Sequence, residues 1–300
     1  MSKYTEKFQS RTPQNRFVFD YLTINFKDST PDEVLQIFCG VVSNPDVCLD
    51  SFIDFDSGSI RSYNRSLRFF GERFITINWR SFDLGTPFTF KHTGAIDKFD
   101  TFQGVSLNIT GTGCRAMTEQ DFYNLFALLK GYNVSYTRLD VAFDDFNQVM
   151  PVDNMVSSIN DWFNGKDNAI STRSRRVTSR IYLNNADING SNFTSKNFDL
   201  GSNGASQKLR MYDKKVEQSR SDVDYWKRLE FMLRHDKATN FINDYLQCKN
   251  IVVCYVKYLS DILRFLADGK NLIRSQIKNA PWWEQFLKVL EEYTLQSIYI

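Results

Sequence analysis

Three short segments hold the side chains best suited to chemistry on a phosphate ester. Read as strands, whose successive side chains alternate between faces, each divides into an apolar and a charged set. In the first, Leu139, Val141 and Phe143 oppose Arg138, Asp140, Ala142 and Asp144. In the second, Leu209 and Met211 oppose Lys208, Arg210, Tyr212 and Lys214, and in the third Leu229, Phe231 and Leu233 oppose Arg228, Glu230, Met232 and Arg234. Placed in one sheet, the charged faces would gather Asp140, Asp144 and Glu230 with several cations and a single tyrosine. Carboxylates are hard ligands for Mg²⁺ or Mn²⁺, and arginine and lysine neutralise charge that builds on a phosphoryl group. A phenol with an ordinary pKa near ~10 becomes a nucleophile once cations or a metal lower it, which Lys208, Arg210 and Lys214 could do for Tyr212. A solvated face laced by cross-strand salt bridges shows the same alternation, and parity alone leaves both readings open.

Composition narrows the chemistry. His92 and His235 are the only two histidines and lie far apart in sequence, which removes histidine-based zinc motifs and paired-histidine endonuclease motifs. The five cysteines, Cys39, Cys48, Cys114, Cys248 and Cys254, form no CxxC pair and read as reduced packing thiols. Lys+Arg 37 against Asp+Glu 35 leaves a net charge of +2, so any basic surface must be local. With 300 residues, 42% of them hydrophobic, the chain can bury a substantial core. Its longest apolar runs fall far short of the ~18 residues of a spanning helix, and its N-terminus shows no apolar leader, so a cytoplasmic protein without a membrane segment is expected.

The elements that must position the three segments follow from periodicity. Residues 1–15 read as a disordered arm, and Phe17 to Phe26 as an aromatic and β-branched strand. Ser29 to Glu33 opens a helix with an early proline and acids in the first turn. Alternating segments between about Ser57 and Asn108 predict antiparallel sheet. Thr118-Glu119-Gln120-Asp121 caps a helix through Lys130 with Phe122, Leu125, Phe126 and Leu129 on one face, and Pro151 to Phe163 forms another. Residues 164–207 read as loops and hairpins, and after Asp236 the pattern is helical to the end, broken at Gly269 and Pro281. The expected fold is α+β, a large curved and mainly antiparallel sheet with flanking helices and a helical C-terminal region. The expected domains are a catalytic part over 16–238 and a helical part over 239–300.

Six segments in order, DYLTINF (20–26), VSLNITGTGCR (105–115), YTRLDVAFDDF (136–146), LGSNGASQKLRMYDKKVEQ (200–218), WKRLEFMLRHDKA (226–238) and PWWEQFL (281–287), resemble the trans-acting replication initiation factor family. This family comprises rolling-circle plasmid and phage initiators, such as staphylococcal plasmid Rep proteins, and related relaxases of integrative elements. The resemblance implies a site-specific nicking and joining enzyme, a topoisomerase-like activity. A tyrosine that maps to Tyr212 attacks one origin strand, leaving a 5′-phosphotyrosine and a 3′-hydroxyl primer. It implies Mg²⁺ or Mn²⁺ at Asp140 and Glu230, with Asp144 and Glu217 as further candidates, and on the charged face Arg210, Lys214 and Arg228 are expected to stabilise the phosphate. It also implies an origin duplex or extruded hairpin as substrate, a homodimer and a host helicase partner, with origin recognition toward the C-terminus. One departure is that Gly201-Ser202-Asn203-Gly204-Ala205 carries no basic residue where the family usually has one.

Other residues compete. Tyr21, Tyr136 and Tyr182 are alternative nucleophiles, the first two better read as core. The turn Gly111-Thr112-Gly113-Cys114-Arg115 reads as a phosphate cradle or as a plain strand-to-helix turn, with Arg115 a DNA contact in either case. Arg173, Arg175, Arg176 and Arg180, near Lys166, are the densest basic stretch and suit a phosphate backbone or a solvated hairpin. Lys257, Arg264, Lys270, Arg274 and Lys278 give the tail a basic face for duplex recognition, while Trp282 and Trp283 read as packing anchors. Two alternative functions remain: a conjugative relaxase, and a regulator that binds DNA without cutting it.

Overall fold

Leu22, Ile24 and Phe26 alternate with Thr23 and Asn25, as Val105, Leu107 and Ile109 do with Ser106 and Asn108, and this period of two makes strands with one buried face. The two segments pair antiparallel as β1 (Arg16–Phe26) and β5 (Val105–Ile109), Leu22 opposite Ile109 and Phe26 opposite Val105. All six apolar side chains are buried. The computed structural model describes residues 14–29, 31–41, 47–56, 60–69, 72–82, 105–165, 169–172, 177–178, 196–202, 204–267 and 276–296. The chain divides into two units, one built on Phe19–Asp140 and Arg234–Leu246, the other on Thr12–Val18, Val141–Leu233 and Gln247–Ile300.

In the first unit β1 and β5 continue into β2 (Val47–Asp56), β3 (Ile60–Phe69) and β4 (Glu72–Phe82), in the order β2-β3-β4-β5-β1-β6. The β2-β3, β3-β4 and β4-β5 pairs are all antiparallel. Helix α1 (Pro31–Val41) buries Val34, Ile37, Phe38 and Val41. After the short α2 (Gly111–Ala116), helix α3 (Glu119–Leu129) starts on a capping box. The Thr118 hydroxyl accepts from the Asp121 amide at 3.1 Å, and the Asp121 carboxylate accepts from the Thr118 amide at 2.8 Å. Its expected face, Phe122, Leu125, Phe126 and Leu129, is the buried one. Phe19 lies 4.5 Å from Phe122 and 5.3 Å from Tyr245, ring centre to ring centre. Strand β6 (Val134–Asp145) begins in this unit and ends in the other.

The second unit carries the strand order β6-β11-β10-β9-β8, with β8 (Val177–Thr178), β9 (Phe198–Leu200), β10 (Gln207–Asp213) and β11 (Lys227–Leu233). The β10-β11 ladder is antiparallel and sets Arg210 opposite Glu230 and Tyr212 opposite Arg228. The β9-β10 ladder sets Asp199 opposite Arg210. Helix α4 (Val152–Phe163) follows a turn closed by Asp145, whose carboxylate accepts from the amides of Asn147, Val149 and Met150 at 2.8–3.1 Å. One-turn helix α5 (Lys214–Glu217) leads from β10 toward β11. Helix α6 (Asp236–Cys248) enters this unit at its end, and α7 (Ile251–Ile262) and α8 (Pro281–Gln296) complete it. An aromatic cluster runs through its core: Phe17 is 4.9 Å from Phe143 and 5.1 Å from Tyr255, and Trp283, fully buried, is 4.9 Å from Phe265.

The tail departs from the all-helical expectation. Leu263-Arg264-Phe265 is a strand, β12, paired antiparallel with β7 (Ile170–Thr172). Three residues of alternation within an apolar helical pattern do not announce a change of period. Gly111 to Ala116 is a short helix rather than a plain turn, its Thr110 hydroxyl accepting from the Gly113 amide at 3.4 Å. Among the described residues no helix is long and apolar enough to cross a membrane.

Between β9 and β10 the chain reverses at Gly201, with φ +102°, where a Cβ would lie 2.8 Å from the Gln207 carbonyl oxygen. Both the left-handed backbone and the close approach exclude a side chain. Gly201→Ala is expected to lower unfolding free energy by about 1–3 kcal/mol, measured by chemical denaturation. An unchanged midpoint would contradict this.

Candidate active site

The charged residues of β6, β10 and β11 do not form a solvated face. Asp144, Lys208, Asp213, Lys214, Arg228 and Glu230 are all buried, although each is an ionisable group that water would stabilise. Burial of charge is tolerated only where partners replace that water.

Tyr212 stands at the centre of the arrangement. Its hydroxyl donates to Glu230 Oε2 at 2.9 Å and accepts from Lys214 Nζ at 3.3 Å, and its residual exposure is 8%. Lys214 in turn pairs with Glu217 Oε2 at 2.5 Å. Lys214 is not on the strand, as parity placed it, but is the first residue of α5. The Asp213 carboxylate starts that turn by accepting from the Val216 amide at 3.1 Å, and it also pairs with Lys227 at 2.8 Å. The guanidinium of Arg210 lies 4.8 Å from the centre of the Tyr212 ring and 3.5 Å from Glu230 Oε1. Burial lowers the pKa of Arg210, but Glu230, Tyr212, Asp199 and Glu217 together carry it above the ordinary arginine value. Its side chain keeps 32% exposure.

Behind Glu230 is a second layer. Arg228, 1% exposed, places NH1 3.7 Å from Glu230 Oε2, the oxygen that accepts from Tyr212. Asp144 holds Arg228 through two hydrogen bonds of 2.7 and 3.0 Å. It also accepts from the Trp226 indole at 2.8 Å and from Arg16 at 3.2 Å. Burial pushes the Asp144 carboxyl up, yet the Arg228 charge and hydrogen bond, with Arg16 and Trp226, bring it below the ordinary aspartate value. Asp199 on β9 fixes the outer cations, 2.8 Å from Lys208 Nζ and 3.6 Å from Arg210 Nε.

Asp140 belongs to the first unit, where it accepts from Arg138 at 2.9 and 2.5 Å, and burial with the nearby Asp20 charge raises its pKa against that pairing. Tyr136 is buried 6.0 Å from Phe126, and burial drives its phenol well above the usual tyrosine range. Tyr21 lies under the Arg138 guanidinium at 4.3 Å. A Cβ on Gly111 would meet the Asp20 carbonyl oxygen at 3.3 Å, Asp20 Oδ1 at 3.4 Å and Arg115 NH1 at 3.5 Å. Arg173, Arg175, Arg176, Arg180, Lys166, Tyr182, Lys270 and Arg274 lie outside the described residues. Asp199, Asp213, Trp226 and Arg16 were not singled out by sequence. Asp199 had a signal, an acid two residues before the Gly201-Ser202 turn in a strand candidate, while Arg16 and Trp226 had none.

Among the described residues no three His, Cys, Asp or Glu side chains gather as a metal cluster. The acids near Tyr212, Glu230 and Glu217, are nevertheless oxygen donors of the kind Mg²⁺ and Mn²⁺ prefer. Such ions are commonly held by one or two carboxylates completed by water and substrate phosphate.

Comparison with known proteins places these observations. The family described as replication initiation factor matches residues 134–298, more than half of the chain and all of the arrangement around Tyr212 except Arg16. NicK of Bacillus subtilis (strain 168), named as a DNA relaxase, is 22% identical over 200 residues, which is 63% of this chain and 54% of that protein. The chain thus spans about half the length of that relative. The structure of a rolling circle replication initiator protein from Geobacillus stearothermophilus superposes with a TM-score of 0.65 over 93% of this chain and 97% of that one, at 19% identity, a likeness of fold.

Proposed function

The chain belongs to the replication initiation factor family, and from that premise we propose that it starts rolling-circle replication by cutting one strand of an origin through Tyr212. The observation that carries this reading is the hydrogen bond from the Tyr212 hydroxyl to Glu230, with the Lys214 ammonium donating to the same oxygen. A phenol so held already directs its proton at a carboxylate, and the charge it would acquire faces a cation.

In the proposed reaction Tyr212 Oη forms a bond to a backbone phosphorus and the bond to the 3′-oxygen breaks. Glu230 accepts the phenol proton, and the departing oxygen is protonated from solvent as a free 3′-hydroxyl. Lys214 stabilises the phenolate, and Glu217 orients Lys214. Arg210, with its partly exposed guanidinium, neutralises the phosphate. Arg228 and Asp144 act from behind: Arg228 is too enclosed to meet DNA and fixes Glu230, and Asp144 fixes Arg228. The four atoms that surround the Asp144 oxygens make this a better role for it than metal binding. Glu230 and Glu217 fit a divalent cation that would polarise the phosphoryl oxygen when bound. The expectation for Asp140 as a ligand rests on strand parity and the family motif. An origin duplex as substrate, a homodimer and a helicase partner belong to the same reading.

The test is to tile single-stranded oligonucleotides across the DNA flanking the coding sequence, incubate each with the protein and Mg²⁺ or Mn²⁺, and map any nucleotide-bearing peptide. The expected adduct is on Tyr212, forms with one oligonucleotide register, and is lost in chelator. An adduct on another tyrosine, or cleavage that leaves none, would overturn the assignment. A protein that binds one register and never cuts would be a regulator. A second reading, a relaxase that starts conjugative transfer by the same chemistry, is supported by the similarity to NicK, and the location of the nicked sequence separates the two.

A further inference from the structure

The last turn of α6 and the first turn of α7 bring two thiols together. Cys248 ends α6, Lys249 reverses the chain with φ +55°, and the Asn250 side chain caps α7 by accepting from the amides of Val252 and Val253 at 2.9 and 3.1 Å. This two-residue connection lays Cys254 against Cys248, with Sγ atoms 3.0 Å apart. That is roughly 1 Å beyond the ~2.05 Å of a formed disulfide, so the two thiols touch without being bridged, and Cys248 also donates to the Asn250 carbonyl at 3.3 Å. Their exposure differs: Cys248 is open to solvent, while Cys254 is 2% exposed.

We propose that Cys248 and Cys254 are a modification site, a dithiol that low-molecular-weight disulfides convert reversibly to an intramolecular disulfide. Exposure assigns the order of events. The Cys248 thiolate attacks one sulfur of the reagent, forms a mixed disulfide and releases one small thiol, which keeps the proton that Cys248 lost. The Cys254 thiol then loses its proton and attacks Cys248 Sγ, the new S–S bond forms, and the second small thiol leaves with that proton. The protein gives up two electrons and two protons, and the reagent disulfide becomes two thiols. Access controls the first step and proximity the second, as thiol–disulfide exchange requires.

Cys39 and Cys114 lack this geometry. Cys114 is buried and directs its thiol to the Ile109 carbonyl at 3.9 Å, and Cys39, although exposed, has its thiol pushed up by the part of it that is covered. The pair also borders the strand of the candidate site. Tyr255, the residue after Cys254, is buried and donates to the Leu229 carbonyl at 2.7 Å, between Arg228 and Glu230 on β11. The bridge would therefore tie down the helix that anchors that strand.

The experiment needs no DNA and stands apart from the nicking assignment. The full chain is incubated with excess oxidised glutathione, quenched in acid, alkylated and digested. Trypsin cuts after Lys249, between the two cysteines, so the bridge appears as a linked peptide pair. The expected result is the loss of two free thiols from the five, the linked pair as the main product, and full reversal by dithiothreitol. In Cys254→Ala the glutathione should stay on Cys248, and in Cys248→Ser the folded protein should leave Cys254 unmodified. A wild-type chain that keeps all its thiols, retains glutathione on Cys248 as the Cys254→Ala variant does, or joins Cys248 to a different cysteine would overturn the proposal.

Discussion

Tyr212→Phe is expected to reduce strand cleavage by about 10⁴-fold or more while leaving DNA affinity within a few-fold of the parent. The substitution removes one oxygen and keeps the ring, so the packing of Arg210 over it at 4.8 Å survives. What disappears is the proposed nucleophile and its bonds to Glu230 and Lys214. Because both neighbours are charged and buried, loss of those bonds should also cost roughly 1.5–3 kcal/mol of stability, so the assay is run well below the melting temperature. Nicking of a supercoiled origin plasmid, followed beside a gel-shift titration, separates the two effects. A variant that binds and nicks like the parent would remove Tyr212 from the reaction. A variant that neither binds nor nicks, yet melts normally, would move its role to recognition.

The second large effect belongs to Asp144. Asp144→Ala leaves the guanidinium of Arg228, 1% exposed, without the carboxylate that accepts two of its hydrogen bonds. An uncompensated buried charge is worth about 3–5 kcal/mol, a fall in Tm of roughly 5–15 °C by calorimetry. Removing both charges in Asp144→Leu with Arg228→Met should recover most of that loss, because the cost lies in the orphaned charge rather than in the absence of an ion pair. Arg16, 37% exposed at its side chain, can turn to water and does not repeat the problem. A double variant as unstable as the sum of the two single changes would refute this account. The pH dependence has a definite sign. The folded carboxyl of Asp144 titrates below its ordinary value, so its stabilisation is present above the unfolded pKa of about 3.9 and is lost as pH falls through the folded value. The stability gap between parent and Asp144→Ala should therefore narrow in acid below about pH 3.9 and stay constant from pH 5 to 7.

How much of this could be read in advance depends on the range of each interaction. The parity of β10 and β11 was legible, because a period of two needs only a few residues, and it put Arg210, Tyr212, Arg228 and Glu230 on one face. The ladder bears that out, with Arg210 opposite Glu230 and Tyr212 opposite Arg228. The capping box at Thr118 and the buried face of α3 were legible for the same local reason. Parity could not tell whether the charged face met water or protein, since that depends on what covers it. Arg16 and Trp226 reach Asp144 from 128 and 82 residues away, and no local pattern encodes such a meeting. Strand β2 was overlooked, although Val47, Leu49, Ile53 and Phe55 alternate. Its register against β3 shifts between Asp50 and Ile53, an irregularity that departs from an unbroken ladder. The β7-β12 pair was overlooked because three residues carry too short a signal.

Glu230 and Lys214, which hydrogen-bond the Tyr212 hydroxyl, and Arg210, which lies over its ring, are all within Gln207–Leu233, on two adjacent antiparallel strands and the turn that follows the first. The ladder sets Arg210, Tyr212, Arg228 and Glu230 against one another, and the turn of α5 at the start of the connection places Lys214. Val223 is buried and Gln218 closes α5, so the part of the connection with room to lengthen or diversify is Ser221 to Asp222. A lineage could acquire new target preferences there by insertion, with the β10-β11 hairpin inherited intact as a portable cassette.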